Sequence, residues 1–201
     1  MSVAQPWHPY VFDSEGRRFV GAFEDMYRAE EREHFDSWRQ SDPRLLESAI
    51  AGLLLEQVTW GSALDLGCGK GQFTAGLQRR DNHVTGVDAS ETAITRARGS
   101  FPDVEWVCGD ALAVLRDSGP VDLVVVRELL SYLEDWRGLL ALAARRTRYL
   151  LVGLYLPPDP IGEVKSHDEL LAALAEDFDV LEWVTISPKQ LSTYLCRARP
   201  R

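Results

Sequence analysis

The sequence predicts a doubly wound α/β fold, and three observations carry that expectation. From Ser62 onward, short apolar runs alternate with helical stretches five times over. One run, 121–126, is apolar at nearly every position, the pattern of a strand buried on both faces at the centre of a parallel sheet. The chain then closes with two further apolar runs joined only by the turn Ser187-Pro-Lys-Gln190. Parallel strands joined by right-handed crossovers build the sheet, and the closing hairpin adds one antiparallel strand to it.

The elements follow in order. Strands are expected at 63–66, His83–Asp88, 104–108, 121–126 and 149–156, with helices at 72–80, 91–98, 111–116 and 136–145 between them. Pro157-Pro-Asp-Pro160 breaks the chain into a loop. Ser166 and Glu169 have the spacing of a capping box and open a helix that runs to Glu176. The last two strands are Phe178–Ile186 and 191–199.

Residues 1–60 read differently, as charged and helical. Phe23, Met26, Tyr27, His34, Phe35 and Trp38 fall near one side of a helix of period 3.6, so one amphipathic helix is expected there, stopping at Gln40-Ser41. Asp42-Pro43 is expected to open a second helix, with Asp as N-cap and Pro in its first turn. Leu45, Leu46, Ala49, Ile50, Leu53, Leu54 and Val58 give it an apolar face, and Trp60-Gly61 ends it. Residues 1–60 therefore form an N-terminal helical extension or lid, and 61–201 form one core domain.

Composition narrows the function. Against 22 Lys and Arg stand 31 Asp and Glu, a net charge of −9. Such a surface repels phosphate backbones, so nucleic acid is not expected as the substrate. The first ten residues lack the cationic and apolar segments of a secretory signal, and no apolar run is long enough to span a bilayer. Cys68, Cys108 and Cys196 have no spacing of a disulfide or zinc framework and read as small buried apolar side chains. The expectation is a cytoplasmic protein in a reducing compartment, monomer or homodimer.

The chemistry gathers at the ends of the strands. The first strand runs into Gly67-Cys-Gly69-Lys-Gly71, where glycines admit positive φ and let a ligand approach the backbone at a helix N-terminus. A dinucleotide fingerprint would place its third glycine at position 72, which is Gln. Asp65, just ahead of the turn, disfavours a pyrophosphate and suits an ammonium or sulfonium ligand. Asp88 ends the second strand, at the distance where an acid takes a ribose diol. Gly109-Asp110-Ala111 ends the third, where a carboxylate can accept from an adenine amino group. Arg127-Glu128-Leu-Leu-Ser-Tyr132 ends the fourth.

Together these segments resemble the class I methyltransferases that use S-adenosylmethionine. Leu64-Asp-Leu-Gly-Cys-Gly-Lys-Gly-Gln-Phe73 is similar to their motif I, and Val84-Thr-Gly-Val-Asp-Ala-Ser90 to their acidic loop. Cys108-Gly-Asp-Ala111 and Val121-Asp-Leu-Val-Val-Val-Arg-Glu-Leu-Leu-Ser-Tyr-Leu133 are similar to the next two motifs. The last of these and the segment before it containing Trp38 most resemble the NodS-like small-molecule branch.

The resemblance implies a Rossmann-like seven-stranded sheet of order 3-2-1-4-5-7-6. It also implies that Gly67, Cys68, Gly69 and Gly71 lie against the methionyl part of the cofactor, with Asp65 near its ammonium group. Asp88 would bind the ribose hydroxyls, Ala89 would pack on adenine, and Gly109, Asp110 and Ala111 would serve the adenine end. Arg127 and Glu128 would border the sulfonium and the acceptor.

Glu128 is the candidate base, and Tyr27, His34, Trp38, Glu128, Tyr132 and His167 are candidate acceptor contacts. Arg127-Glu128 and Asp159 make a poor metal-ligand set, so no metal is expected. The expected activity is methyl transfer to O, N or C of a sugar, amino sugar or secondary metabolite. The alternatives are a non-catalytic methyltransferase-like binding partner and a nicotinamide oxidoreductase.

Overall fold

The computed structural model describes residues 6–42, 44–187 and 190–200. Pro43, expected in the first turn of a helix, and Pro188 and Lys189 of the last turn lie outside the described residues.

Seven strands form one sheet: β3 (Ser62–Leu66), β4 (His83–Asp88), β5 (Glu105–Cys108), β6 (Val121–Arg127), β7 (Thr147–Tyr155), β8 (Phe178–Ile186) and β9 (Leu191–Ala198). Their spatial order is β5-β4-β3-β6-β7-β9-β8, which is the expected 3-2-1-4-5-7-6. β3 pairs in parallel with both β4 and β6, and β9 runs antiparallel between β7 and β8. The order reverses between β4 and β6 on either side of β3. Ligands of doubly wound sheets bind at the carboxyl ends beside such a reversal.

Helices cover both faces. On one face α3 (Leu46–Leu55), α4 (Gln72–Leu77) and α5 (Glu91–Ser100) bury Ala51, Leu54, Leu77, Ile94 and Ala97. On the other, α6 (Ala111–Asp117), α7 (Trp136–Arg146) and α8 (His167–Asp177) bury Leu115, Leu139, Ala143, Leu170 and Leu174. Leu123 and Val125 of β6 face the first layer while Val124 and Val126 face the second, and all four are fully buried. Two-sided burial explains the unbroken apolar run, and each such side chain contributes roughly 1.5–3 kcal/mol. Ser166 Oγ accepts from Glu169 N at 3.0 Å, as a capping box requires, but the Glu169 carboxylate returns to Lys165 N at 2.8 Å.

The N-terminal segment departs from the expectation. It begins with α1 (His8–Val11) and a two-residue hairpin, β1 (Phe12–Asp13) with β2 (Arg18–Phe19). The amphipathic helix is α2 (Phe23–Glu33), which ends at His34 in the left-handed conformation. Trp38 lies beyond it in a short 3₁₀ turn with φ 50°. Phe35 and Trp38 thus share an aromatic cluster with Phe23 but not its helix. The second helix starts at Leu46, not Asp42: Asp42 Oδ1 instead accepts from Arg44 N at 2.9 Å, capping a turn ahead of it. That helix also ends early, at Leu55 rather than Trp60-Gly61.

Among the described residues, no helix is long and apolar enough to cross a membrane. Of the three free cysteines, Cys196 is buried as expected, Cys68 is partly buried, and Cys108 is exposed at the end of edge strand β5.

Candidate cofactor site

The turn after β3 is held open by backbone conformation. Gly67, Gly69 and Gly71 have φ of 77°, 55° and 81°, the left-handed region that glycine enters without a steric cost. Side chains would also collide there: a Cβ at Gly71 would meet the Trp106 ring, and one at Gly69 the Gln40 carboxamide. The Cys68 thiol packs against the cluster of Trp106 and Ile94 and lies 3.7 Å from Gly69 O within the turn.

Two carboxylates stand at this turn. Asp65 is 3% exposed and accepts from Thr74 Oγ1 at 2.6 Å. Burial pushes its carboxyl up to about 6, against the pull of that hydroxyl and of Arg127. Asp88 accepts from Gly69 N and Ser90 N, both at 2.9 Å, and burial raises its carboxyl while these N–H groups draw it back. Ala89 is exposed beyond it. At the end of β5, Gly109 N donates to Asp88 O at 2.9 Å. Asp110 is exposed, caps α6 by accepting from Ala113 N at 2.8 Å, and precedes the buried Ala111.

β6 delivers the other side of the site. Glu128 has φ 54°, uncommon for a residue with a Cβ and a frequent mark of functional positions. Its Oε2 accepts from Tyr155 N at 3.1 Å, and burial pushes its carboxyl up to about 7. The Arg127 guanidinium carbon sits over the Phe73 ring, 4.0 Å from its centroid, and Arg127 Nη2 donates to Ser48 Oγ at 3.2 Å. It therefore faces α3 and α4.

Of the candidate acceptor contacts, the structure gathers Tyr27, Trp38, Glu128 and Tyr132 along the carboxyl edge. The Tyr132 ring stacks on Phe19 and meets Phe12, Phe23 and Trp38, with centroids 5.2–6.3 Å apart. Burial and the nearby Glu128 hold its hydroxyl above the usual range. The Tyr27 hydroxyl accepts from Gln40 Nε2 at 3.0 Å, and burial and Asp88 hold it neutral. Two histidines lie elsewhere. His34 is exposed at the end of α2. The His167 ring sits between Gln190 O and Tyr194 OH at 3.4 and 3.3 Å, against β9.

Sequence reasoning missed the residues that join the N-terminal segment to this edge. Glu24 accepts from Ser90 Oγ at 2.6 Å and from Thr92 N and Oγ1 at 3.1 and 2.7 Å. Lys70 of the glycine turn pairs with Glu30 at 3.0 Å and Asp36 at 2.5 Å. Arg96 pairs with Glu30 at 2.6 Å. Gln40 Oε1 accepts from Lys70 N at 2.9 Å. A signal for Glu30 existed: it lies four residues after Met26 and three after Tyr27, on the apolar side of α2.

The donor set fits S-adenosylmethionine. The left-handed glycines expose backbone to a ligand, and among the described residues Thr74 donates a hydrogen bond to the buried Asp65 carboxylate. A ligand ammonium would meet an acceptor that no cation neutralises at contact distance.

Comparison with known proteins agrees. Residues 63–149 match the family model described as methyltransferase domain. The trans-aconitate 2-methyltransferase of Azoarcus sp. (strain BH72) is 37% identical over 89 residues, covering 43% of this chain and 35% of that protein. That of Escherichia coli (strain K12 / DH10B) is 36% identical over 107 residues, covering 51% and 39%. The aligned part of the chain thus spans little more than a third of each of these relatives. Among solved structures, the N-methyltransferase NodS from Bradyrhizobium japonicum WM9, in complex with S-adenosyl-L-homocysteine, superposes with a TM-score of 0.70 at 24% identity. The match covers 87% of this chain and 98% of NodS, and it shows the shared fold. The motifs in order, the strand order and the matched segment agree: residues 63–149 are similar to the methyltransferase domain family, and the chain shares the fold of NodS.

Proposed function

We propose that this chain methylates an O, N or C atom of a small molecule: a sugar, an amino sugar or a secondary metabolite. The observation that carries the reading is the convergence of Asp65, Asp88 and Glu128 on the carboxyl edge beside the left-handed glycine turn. When bound, S-adenosylmethionine supplies an activated sulfonium methyl group. Gly67, Gly69 and Gly71 leave room for it, Asp65 takes its ammonium group, and Asp88 its ribose hydroxyls. Asp110, with Gly109, Ala111 and Ala89, lines the adenine end, and Arg127 partly offsets the burial that raises the Asp65 carboxyl.

Glu128 is the group placed to take a proton from the acceptor. Its carboxyl titrates near 7, where a base balances availability against strength. Most of the acceleration comes from alignment and from excluding water. The N-terminal segment serves that purpose as a lid. It spans the carboxyl edge from Ser90, through Lys70 and Tyr132, to Asp159, which Arg17 grips by two bonds of 2.7 Å. The aromatic rings of Trp38 and Tyr132 then wall the acceptor side. The acidic surface and unpaired cysteines support a small-molecule acceptor and a cytoplasmic setting.

The test is incubation with methyl-labelled S-adenosylmethionine and fractionated metabolite extract. Label appearing in the small-molecule fraction, matched by S-adenosylhomocysteine formation, is the expected result. Label appearing only in nucleic acid or protein would contradict the reading.

A further inference from the structure

We infer that Glu30 is a positioning residue for the cofactor, acting through Lys70 to hold the lid on the glycine turn; this rests on the cofactor reading above. Glu30 lies on α2, in the lid, yet its carboxylate is 3% exposed. It receives Lys70 Nζ at 3.0 Å, Arg96 Nη1 at 2.6 Å and Ser37 N at 2.9 Å, with Ser37 Oγ in close contact as well. Lys70 stands between Gly69 and Gly71, and Arg96 projects from α5, the helix that follows Asp88. One lid carboxylate therefore reaches the two segments assigned to the methionyl and ribose ends of the cofactor.

The charges of the cluster balance at its inner part, with the exposed Glu31 at 3.8 Å from Arg96 on the outside. Glu30 and Asp36 supply two negative charges, and Lys70 and Arg96 two positive ones. A buried ion network of this kind contributes geometry more than stability, because desolvation offsets most of its attraction. The geometry here is specific. Arg96 Nη2 also donates to Tyr27 O at 2.6 Å, which fixes the helix turn carrying Tyr27. The Tyr27 hydroxyl holds the Gln40 carboxamide, and Gln40 Oε1 accepts the Lys70 backbone N–H while its side chain covers Gly69. Glu30 thus sets the position of a wall that closes on the face of the turn where the cofactor's amino-acid end would lie. Loss of that anchor should speed cofactor release without altering proton transfer at Glu128.

The variant Glu30→Gln keeps the shape and removes the charge. Stopped-flow tryptophan fluorescence should show S-adenosylhomocysteine leaving about tenfold faster than from the unaltered protein. KM for S-adenosylmethionine should rise by a similar factor, with kcat at saturating cofactor within about twofold. Asp36→Asn removes the outer partner of Lys70, whose carboxylate is 36% exposed, and should give a smaller change in the same direction without loss of folding. With the single variant Lys70→Met, the double variant Glu30→Gln with Lys70→Met completes a cycle. Its combined loss should fall short of the product of the two single losses, because each single variant already breaks the Glu30–Lys70 pair.

Unchanged release from Glu30→Gln and Asp36→Asn, or losses that multiply in the double variant, would overturn the inference while leaving the cofactor reading standing. A parent protein that binds no S-adenosylhomocysteine would overturn both.

Discussion

The sheet core and the N-terminal segment of this protein are held by different forces. β6 buries four consecutive apolar side chains between helical layers, and its neighbours β3 and β7 do nearly the same. The N-terminal segment also buries Val11 and Met26 with Ala93 of α5, but adds carboxylates and rings: Glu24 on the start of α5, Glu30 and Asp36 on Lys70, and an aromatic cluster around Tyr132. Apolar burial involves no titrating group and scales with the area removed from water, whereas polar contacts exchange protein partners for water at a small net gain. The core therefore depends mainly on apolar burial, and the attachment of the segment above it depends in addition on charged contacts.

The comparison can be broken most severely in the core. Leu123→Ala, at a fully buried position of β6, should cost about 3 kcal/mol of stability. Chemical denaturation should show this, with cofactor affinity unchanged under conditions where the variant is folded. A large loss of affinity in the folded variant would mean that core and site are not separable.

Next in size is a pH effect at Asp65. Its folded-state carboxyl lies near 6, above the ordinary carboxylate value of 3.8. A cationic ligand needs the ionised form, so affinity should be constant above pH 7 and approach a tenfold loss per pH unit below 6. The sign for stability is opposite. A raised folded-state pKa means the ionised group opposes folding above that range, so Asp65→Asn should stabilise the protein at pH 8 by on the order of 2 kcal/mol while weakening cofactor binding. Titration calorimetry between pH 5 and pH 8, with thermal melts of both proteins, checks both signs.

Glu128→Gln sharpens the acceptor side. The parent protein's kcat should rise through about pH 7 as Glu128 ionises, and the variant's profile should be flat there, with cofactor affinity retained. An unchanged profile would remove Glu128 from proton transfer.

The smallest effect belongs to Glu24, held near 2 by Ser90, Thr92 and Arg28 despite the cost of burial. Its lowered pKa makes its contribution present above about 4.5 and lost as pH falls toward 2. Glu24→Gln should loosen the lid by about 1 kcal/mol, read as faster proteolysis between 34 and 42 with an unchanged global Tm.

The same division governed what the sequence could reveal. Strands such as His83–Asp88 and Phe178–Ile186 were legible to the residue, because apolar periodicity is a local record of which face is buried. The glycine turn was legible because φ of 55° to 81° at three positions favours glycine, and the sequence carries glycine at all three. The N-terminal segment was not. Its path depends on left-handed turns at His34 and Trp38, which carry no glycine to announce them. Lys70 and Arg96 could not be matched to Glu30 either, since their partners lie 40 and 66 positions away. Asp42 misled for a related reason: an Asp-Pro pair signals a helix start or a turn, and tertiary packing selected the turn.

The central claim is that the edge formed by the glycine turn and Asp88 holds S-adenosylmethionine. Isothermal titration of S-adenosylhomocysteine into the parent protein and into Asp88→Ala tests it most directly. One site per chain is predicted for the parent, with affinity reduced about a hundredfold in the variant, equivalent to ~2.7 kcal/mol, and a melting temperature within a few degrees. Equal affinity in the two proteins, or no binding to the parent at millimolar ligand, would contradict the account.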